Sequence, residues 1–284
     1  HHVVLATSWD GAPCDLLVAL HARRSAPSVE RFRRLRPEAP LVVGLTGTDL
    51  YEDLPASAEA RRSLELATRV VVLQPLGIRA LPPEVRGKAR TILQSARAVP
   101  PAKTAPGAFQ ACLLAHLRDV KDPLLAAAAV RALPARSRVR LVHLGAALDE
   151  AAATAARAEL AANPRYAWLG DRPRAEALAT LAASRLLLVT SRLEGGANVV
   201  SEAIAAGVPV LSTRIDGSLG VLGPEYPGYF PVGDADALAA LLLRAEEDPA
   251  FLASLRAHVA RLRPLVEPAR EREAWRELLA ELQG

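Results

Sequence analysis

The sequence predicts an α/β protein made of two doubly wound units facing a cleft, and three observations carry that prediction. Short, unbroken apolar runs recur along the chain, as expected for strands buried on both faces of a parallel sheet. Stretches with helical spacing alternate with them, the order that lays helices over such a sheet. A proline-bearing stretch without periodicity, Ala98–Pro106, then interrupts the pattern, and the pattern restarts beyond it.

In the first unit, strands are expected at Leu16–Leu20, Leu41–Leu45, Val70–Leu73 and Thr91–Leu93, with helices at Ser28–Leu35 and Ser57–Ala67. In the second, strands are expected at Phe109–Leu114, Val139–Leu144, Tyr166–Leu169, Leu186–Thr190 and Val208–Ser212. Helices are expected there at Pro123–Leu133, Glu150–Ala162, Ala175–Ala182, Ala197–Ala206 and Ala235–Glu246. Glu267–Leu282 is helical by spacing, with Trp275 on its apolar side. The expected boundaries are 1–100, 107–263, and a final segment, 264–284, crossing back to the first domain.

Composition narrows the function classes. Of 284 residues 51% are apolar, enough for two sizeable cores. The longest apolar runs, such as Leu186–Val189, are far too short to span a bilayer, and no signal peptide is visible. Cys14 and Cys112 stand far apart without ligand-like neighbours, which points to a reduced, cytoplasmic protein with neither a disulfide framework nor a zinc site. Only three of the 35 basic residues are lysine, so the basic pI reflects an arginine-rich composition. These charges are scattered with few aromatics between them, which argues against a nucleic-acid platform. The chain has no Met and opens on His1-His2-Val3-Val4-Leu5-Ala6, which reads as a strand entered abruptly, so an upstream element is expected to be missing.

The strongest chemical signal is Ser191–Val210. The strand before it ends at Ser191, Gly195 and Gly196 let the backbone approach a ligand, and the helix opening near Ala197 turns free N–H groups and its positive dipole end outward. The amides of Gly196, Ala197, Asn198 and Val199 suit a diphosphate. The carboxylates of Glu194 and Glu202 suit sugar or ribose hydroxyls. The plainer alternative is a structural Gly-Gly turn with two solvated acids.

Ala115–Pro123 follows the first strand of the second unit. A compact Lys121 ammonium with a forked Arg118 guanidinium suits a departing diphosphate and removes the need for a metal; no cofactor is expected. Ordinary surface charges at a helix start are the alternative. In the first unit, His21, Arg23, Arg24 and Ser25 follow one strand, Thr46, Gly47, Thr48 and Asp49 the next, and Gln94 and Ser95 the last. Together they make a pocket for a small oxyanion, with His21 as acid or base, unless the first group is only a solvated loop. His143, Leu169 and Gly170 fall at strand ends where a base could pack, beside Arg172 and a Trp168 that also fits a core. Asp216–Gly220 either closes over a donor or is a turn.

These residues carry a resemblance. Glu194 to Glu202 resembles the E-x7-E signature of GT-B retaining glycosyltransferases of the family 4 kind, and Arg118 with Lys121 resembles that family's diphosphate-binding pair. More narrowly, Leu20–Ser25, Leu45–Tyr51, His116–Pro123 and Glu194–Ala203 are similar to the selenosugar synthases of selenoneine biosynthesis, over nearly the whole chain. Two departures stand out: the GT-B first strand and its glycine-containing loop are not in the sequence, and Ala115 replaces a customary glycine.

The resemblance implies two Rossmann-like domains and transfer from UDP-N-acetylglucosamine or UDP-glucose to selenophosphate. Selenium attacks the anomeric carbon, UDP leaves, and loss of phosphate gives a 1-selenosugar. Glu194 would hold the donor sugar, Glu202 the ribose, Arg118 and Lys121 the diphosphate, and His21, Arg23, Arg24, Thr46 and Thr48 the acceptor. Partners are then small molecules, with no nucleic acid or membrane, and a homo-oligomer is left open. Two other readings stand beside it: a conventional GT-B enzyme with a sugar or lipid acceptor, and a UDP-sugar-binding regulatory module without turnover.

Overall fold

The computed structural model describes residues 2–97, 99–100, 102, 107 and 109–282. The chain divides into two compact units, one formed by His1–Leu93 with Glu194–Gly196 and Arg272–Gly284, the other by Gln94–Leu193 with Ala197–Glu271. Of the expected linker Ala98–Pro106, Ala98, Pro101 and 103–106 lie outside the described residues.

In the first unit, β1 (Leu17–Leu20), β2 (Leu41–Gly44), β3 (Arg69–Val72) and β4 (Ala89–Thr91) form a parallel sheet in that order. Leu17 stands opposite Leu41, Val42 opposite Arg69 and Val70 opposite Ala89. Because side chains alternate along a strand, each apolar run feeds two layers. Leu41, Val43, Val70 and Val72 pack with Val29 and Phe32 of α1 (Ala26–Leu35) and Ala60 and Leu64 of α3 (Ala58–Leu66). Val42 and Val71 point the other way, to Ile92 and to Trp275 and Leu278 of the C-terminal helix α12 (Pro268–Glu281). Arg69 and Arg90 close on Glu281 at 3.2 and 2.7 Å. Two short helices, α2 (Leu54–Ala56) and α4 (Gly77–Ala80), complete this unit.

The second unit holds β5 (Phe109–Leu114), β6 (Val139–Leu144), β7 (Tyr166–Trp168), β8 (Leu186–Val189), β9 (Val210–Thr213) and β10 (Tyr229–Phe230), all parallel, in the order β10-β9-β8-β5-β6-β7. Its helices are α5 (Pro123–Arg131), α6 (Glu150–Ala162), α7 (Arg174–Ala183), α8 (Asn198–Ala206), α9 (Asp216–Leu222), α10 (Ala235–Glu247) and α11 (Pro249–Leu262). The chain winds outward from β5 through β6 and β7, then returns to β8 on the other side. The loops after β5 and β8 therefore leave the sheet in diverging directions, which makes a crevice at their carboxyl ends.

Several elements differ from expectation. No strand forms among the described residues of the first segment, where Val3, Val4 and Leu5 are exposed; Trp9 instead binds the Ser28 hydroxyl at 3.0 Å and packs edge-on against Phe32. β4 sits two residues earlier than expected: it includes Arg90, which breaks the apolar run and pairs with Glu281. α9, α11 and β10 were not expected at all, and Asp216–Gly220 proves to be the opening of α9. No helix among the described residues is long and apolar enough to cross a membrane.

Candidate functional site

The switch point joins the two motifs singled out in the second unit. After β5 the chain makes a helical turn at Asp119–Lys121, and Asp122, at φ +43°, redirects it into α5, whose first residue is Pro123. The Thr190 hydroxyl donates to the Lys121 carbonyl at 2.8 Å, and the Arg192 amide donates to the Val120 carbonyl at 2.8 Å. The Arg192 guanidinium closes on Asp122 at 2.9 Å. Three contacts thus pin Val120–Asp122 to Thr190–Arg192, two through backbone carbonyls and one through the Asp122 carboxylate. Arg118 remains exposed and Lys121 half-buried.

α8 opens at Ala197 with no side chain capping its first turn, so the amides there are available to an anion. It stops at Gly207, whose φ of +71° lets its amide and that of Val208 fold back on the last carbonyls. Glu202 lies one turn in, 8% exposed. Its Oε1 receives Arg174 Nη2 at 2.5 Å and Asn198 Nδ2 at 3.4 Å. Burial pushes the Glu202 carboxyl above the usual carboxylate range, and Arg174 pulls it back.

The Gly195-Gly196 pair has no room for side chains against its own neighbours. Within the first unit, a Cβ on Gly195 would stand 2.5 Å from the Gly47 amide, and one on Gly196 2.5 Å from Leu73 Cβ. The close approach is to the backbone at Thr46–Gly47 and to Leu73.

His143 is fully buried on β6. Its Nε2 donates to the Ala115 carbonyl and its Nδ1 accepts the Tyr166 hydroxyl, both at 2.8 Å. Both nitrogens are taken, so His143 positions the Ala115 loop and offers no atom to a base. Burial lowers its pKa to about 4. Its contribution to stability is therefore complete above about pH 6.5 and lost as pH falls toward 4, on the order of 3 kcal/mol in all. Urea midpoints measured from pH 7 to pH 4.5 should fall more steeply for the wild type than for His143→Gln; equal slopes would contradict this.

Gly145 sits against the same loop: a Cβ there would lie 1.8 Å from the Ala115 carbonyl oxygen. Because that neighbour is backbone, Gly145→Ala must displace the Ala115–Lys121 loop, and we expect a loss of about 2 kcal/mol in thermal or urea unfolding. Trp168 Nε1 donates to the Gly145 carbonyl at 2.9 Å, so its ring buttresses this corner. Leu169 is exposed beside Gly170, whose φ is +71°.

In the first unit, His21 continues the ladder by donating its amide to Gly44 and then turns at φ +74°, rare for a residue with a side chain. Two carboxylates hold it: Asp49 Oδ1 lies 3.0 Å from Nδ1 and Asp53 Oδ2 3.5 Å from Nε2. Neither contact has the geometry of a hydrogen bond. Asp49, fully buried, also accepts the Ala22 amide at 2.9 Å; burial raises its carboxyl and that amide lowers it. Arg23 Nε sits 2.8 Å from Asp53 Oδ1. The ligand-type atoms of His21, Asp49 and Asp53 lie within 4.8 Å of one another, a spacing a cation could share, and the Arg23 guanidinium already supplies positive charge there. Ser25 spends its hydroxyl on the Leu20 carbonyl, at 2.6 Å. Arg23, Arg24 and Thr46 stay exposed at the ends of neighbouring strands, with Gly47 and Thr48 half-buried.

Gln94 and Ser95 fall in the second unit, where the Ser95 amide and hydroxyl both donate to Glu271 Oε2, at 2.9 and 2.5 Å. Ser95 therefore ties the chain and presents no donor to a ligand. Two participants escaped the sequence reading. Asp53 stands four residues beyond Asp49 on one helical face, a spacing that could have marked it. Arg174 opens a helix, a cation against the dipole, which was also a signal.

Residues 100–261, more than half of the chain, match the family described as Glycosyl transferases group 1. The search of curated proteins returned no match. Among solved structures, the chain is similar to Anabaena Alr3699/HepE in complex with UDP and glucose, at 18% identity and a TM-score of 0.77, covering 94% of this chain and 78% of that one. It is also similar to sucrose-phosphate synthase from Thermosynechococcus elongatus, at 21% identity and 0.74, covering 94% and 74%. An α,α-trehalose-phosphate synthase (UDP-forming) from Burkholderia vietnamiensis aligns at 15% identity and 0.74, covering 94% and 71%. These likenesses bear on fold and agree with the two parallel sheets described above. With its matched residues spanning the second sheet and the loops pinned at its switch point, the chain belongs to the group 1 glycosyl transferases and is a glycosyltransferase of the GT-B fold.

Proposed function

We propose that this glycosyltransferase takes the sugar of UDP-N-acetylglucosamine or UDP-glucose and joins it to selenophosphate, making a 1-selenosugar for selenoneine biosynthesis. The observation that carries the donor half is the pinning of Val120–Asp122 to Thr190–Arg192, beside the uncapped start of α8. That arrangement supports a reading in which Arg118, Lys121 and the α8 amides would hold a diphosphate. The structural relatives solved with UDP, or described as UDP-forming, favour a uridine nucleotide.

Lys121 and Arg118 would neutralise charge on the departing UDP, and Glu194 and Glu202 would take the hydroxyls of sugar and ribose. The selenium of selenophosphate forms a bond to the anomeric carbon as the bond from that carbon to the UDP oxygen breaks, and UDP leaves with the electron pair. Water then cleaves the Se–P bond, releasing phosphate and the selenosugar. A selenium anion needs little help from a base, so His21, clamped by two carboxylates, orients the acceptor loop. The exposed Arg24 and the Arg23 that also pairs with Asp53, at the strand end next to that of Thr46 and Thr48, favour a small anionic acceptor over a neutral sugar. No cofactor enters this reading.

The test is UDP release with each acceptor in turn. Release that requires selenophosphate supports the proposal. Release with simple sugars alone, indifferent to selenophosphate, overturns the acceptor and leaves a conventional sugar transferase.

A further inference from the structure

We infer that Arg174 is the positioning residue of the nucleoside pocket, holding Glu202 so that the site takes ribonucleoside diphosphates in preference to their 2′-deoxy counterparts. The inference rests on the reading that Glu202 receives the ribose.

Three observations on the second unit converge. Glu202 is buried on α8, yet its carboxylate does not pair within that helix alone: Arg174 reaches it from the first position of α7 at 2.5 Å. Both donors that meet the carboxylate, Arg174 and Asn198, meet the same oxygen, Oε1. Oε2 has no partner among the described residues and keeps its lone pairs for a hydroxyl pair such as a ribose cis-diol. Finally, Arg174 gains nothing from its own helix. A cation in a first turn opposes the dipole, Pro173 before it makes no side-chain cap, and two-thirds of the Arg174 side chain is open to solvent. Its placement is explained by what it touches. Burial alone would favour a neutral Glu202, which would offer a proton where the ribose needs an acceptor; the guanidinium works against that burial in favour of the charged form, and it occupies Oε1.

A merely structural arginine and a positioning one differ in what they do to the 2′-hydroxyl. Calorimetric titration of UDP and 2′-deoxy-UDP into the wild type, Arg174→Ala and Arg174→Lys separates them. The wild type should bind UDP about tenfold more tightly than 2′-deoxy-UDP. Arg174→Ala should lose about tenfold for UDP and much less for 2′-deoxy-UDP, so that the ratio collapses toward one. Arg174→Lys should recover most of that ratio. An unchanged ratio in Arg174→Ala overturns the inference while leaving the nucleotide reading intact, and so does tighter UDP binding, since the arginine would then be competing with ribose. A wild type that binds neither nucleotide overturns the nucleotide reading and this inference together.

Discussion

Replacing Lys121 by Ala is expected to lower turnover by about a hundred- to a thousandfold while leaving the unfolding midpoint nearly in place. The size follows from what removing one preorganised positive donor costs when charge develops on a leaving group. The stability half follows from the structure: three contacts of this loop run through two backbone carbonyls and the Asp122 carboxylate, and Lys121→Ala leaves all three in place. The Lys121 carbonyl is taken by Thr190, the Val120 carbonyl by the Arg192 amide, and Asp122 by the Arg192 guanidinium. Steady-state UDP release and urea denaturation on the same preparation check both halves. A variant with wild-type turnover would remove Lys121 from the chemistry, and one that loses turnover only by unfolding would make it a structural residue.

Glu194→Gln is expected to cost about a hundredfold in kcat, with donor affinity less affected. The amide keeps the shape and one acceptor oxygen, but replaces the other with a donor, so a sugar held through two hydroxyls is held in a different pose. The backbone there has little freedom to adjust. A Cβ on the next residue, Gly195, would stand 2.5 Å from the Gly47 amide. Gly195→Ala should therefore fail through the fold, and Glu194→Gln through the chemistry. Comparing their unfolding midpoints beside their rates tells these apart; a Glu194→Gln variant with unchanged kcat would contradict the role.

Much of the fold is legible in the chain because its strands are buried on both faces. Runs such as Leu186–Val189 are read correctly since nothing in a parallel sheet asks for a polar alternate. Where one face opens, the reading slips: β4 carries Arg90, and its expected place moved two residues along. α11 was missed although Asp248 and Pro249 mark a capped start, and Asp248 does accept the Ala250 and Phe251 amides. That signal lay in the sequence.

The candidate site divides along a similar line. Loops at strand ends could be found, because a parallel sheet puts them at one edge. Which atoms in those loops remain open could not, because that depends on distant partners. His143 looked available and is locked between Ala115 and Tyr166. Ser95 looked like an acceptor contact and is spent on Glu271, 176 residues away. His21 looked like a general base, and only the fold shows Asp49 and Asp53 at its two nitrogens. Arg174 was passed over because its partner lies across two elements.

The measurement that bears most directly on the account is mass spectrometry of the product formed from a UDP-sugar and selenophosphate by the purified protein. The account predicts a 1-selenosugar, with UDP and phosphate released in equal amounts and none formed by Lys121→Ala at the wild-type rate. A glycosylated sugar or lipid as the only product, or UDP release with no selenium in any product, would contradict it.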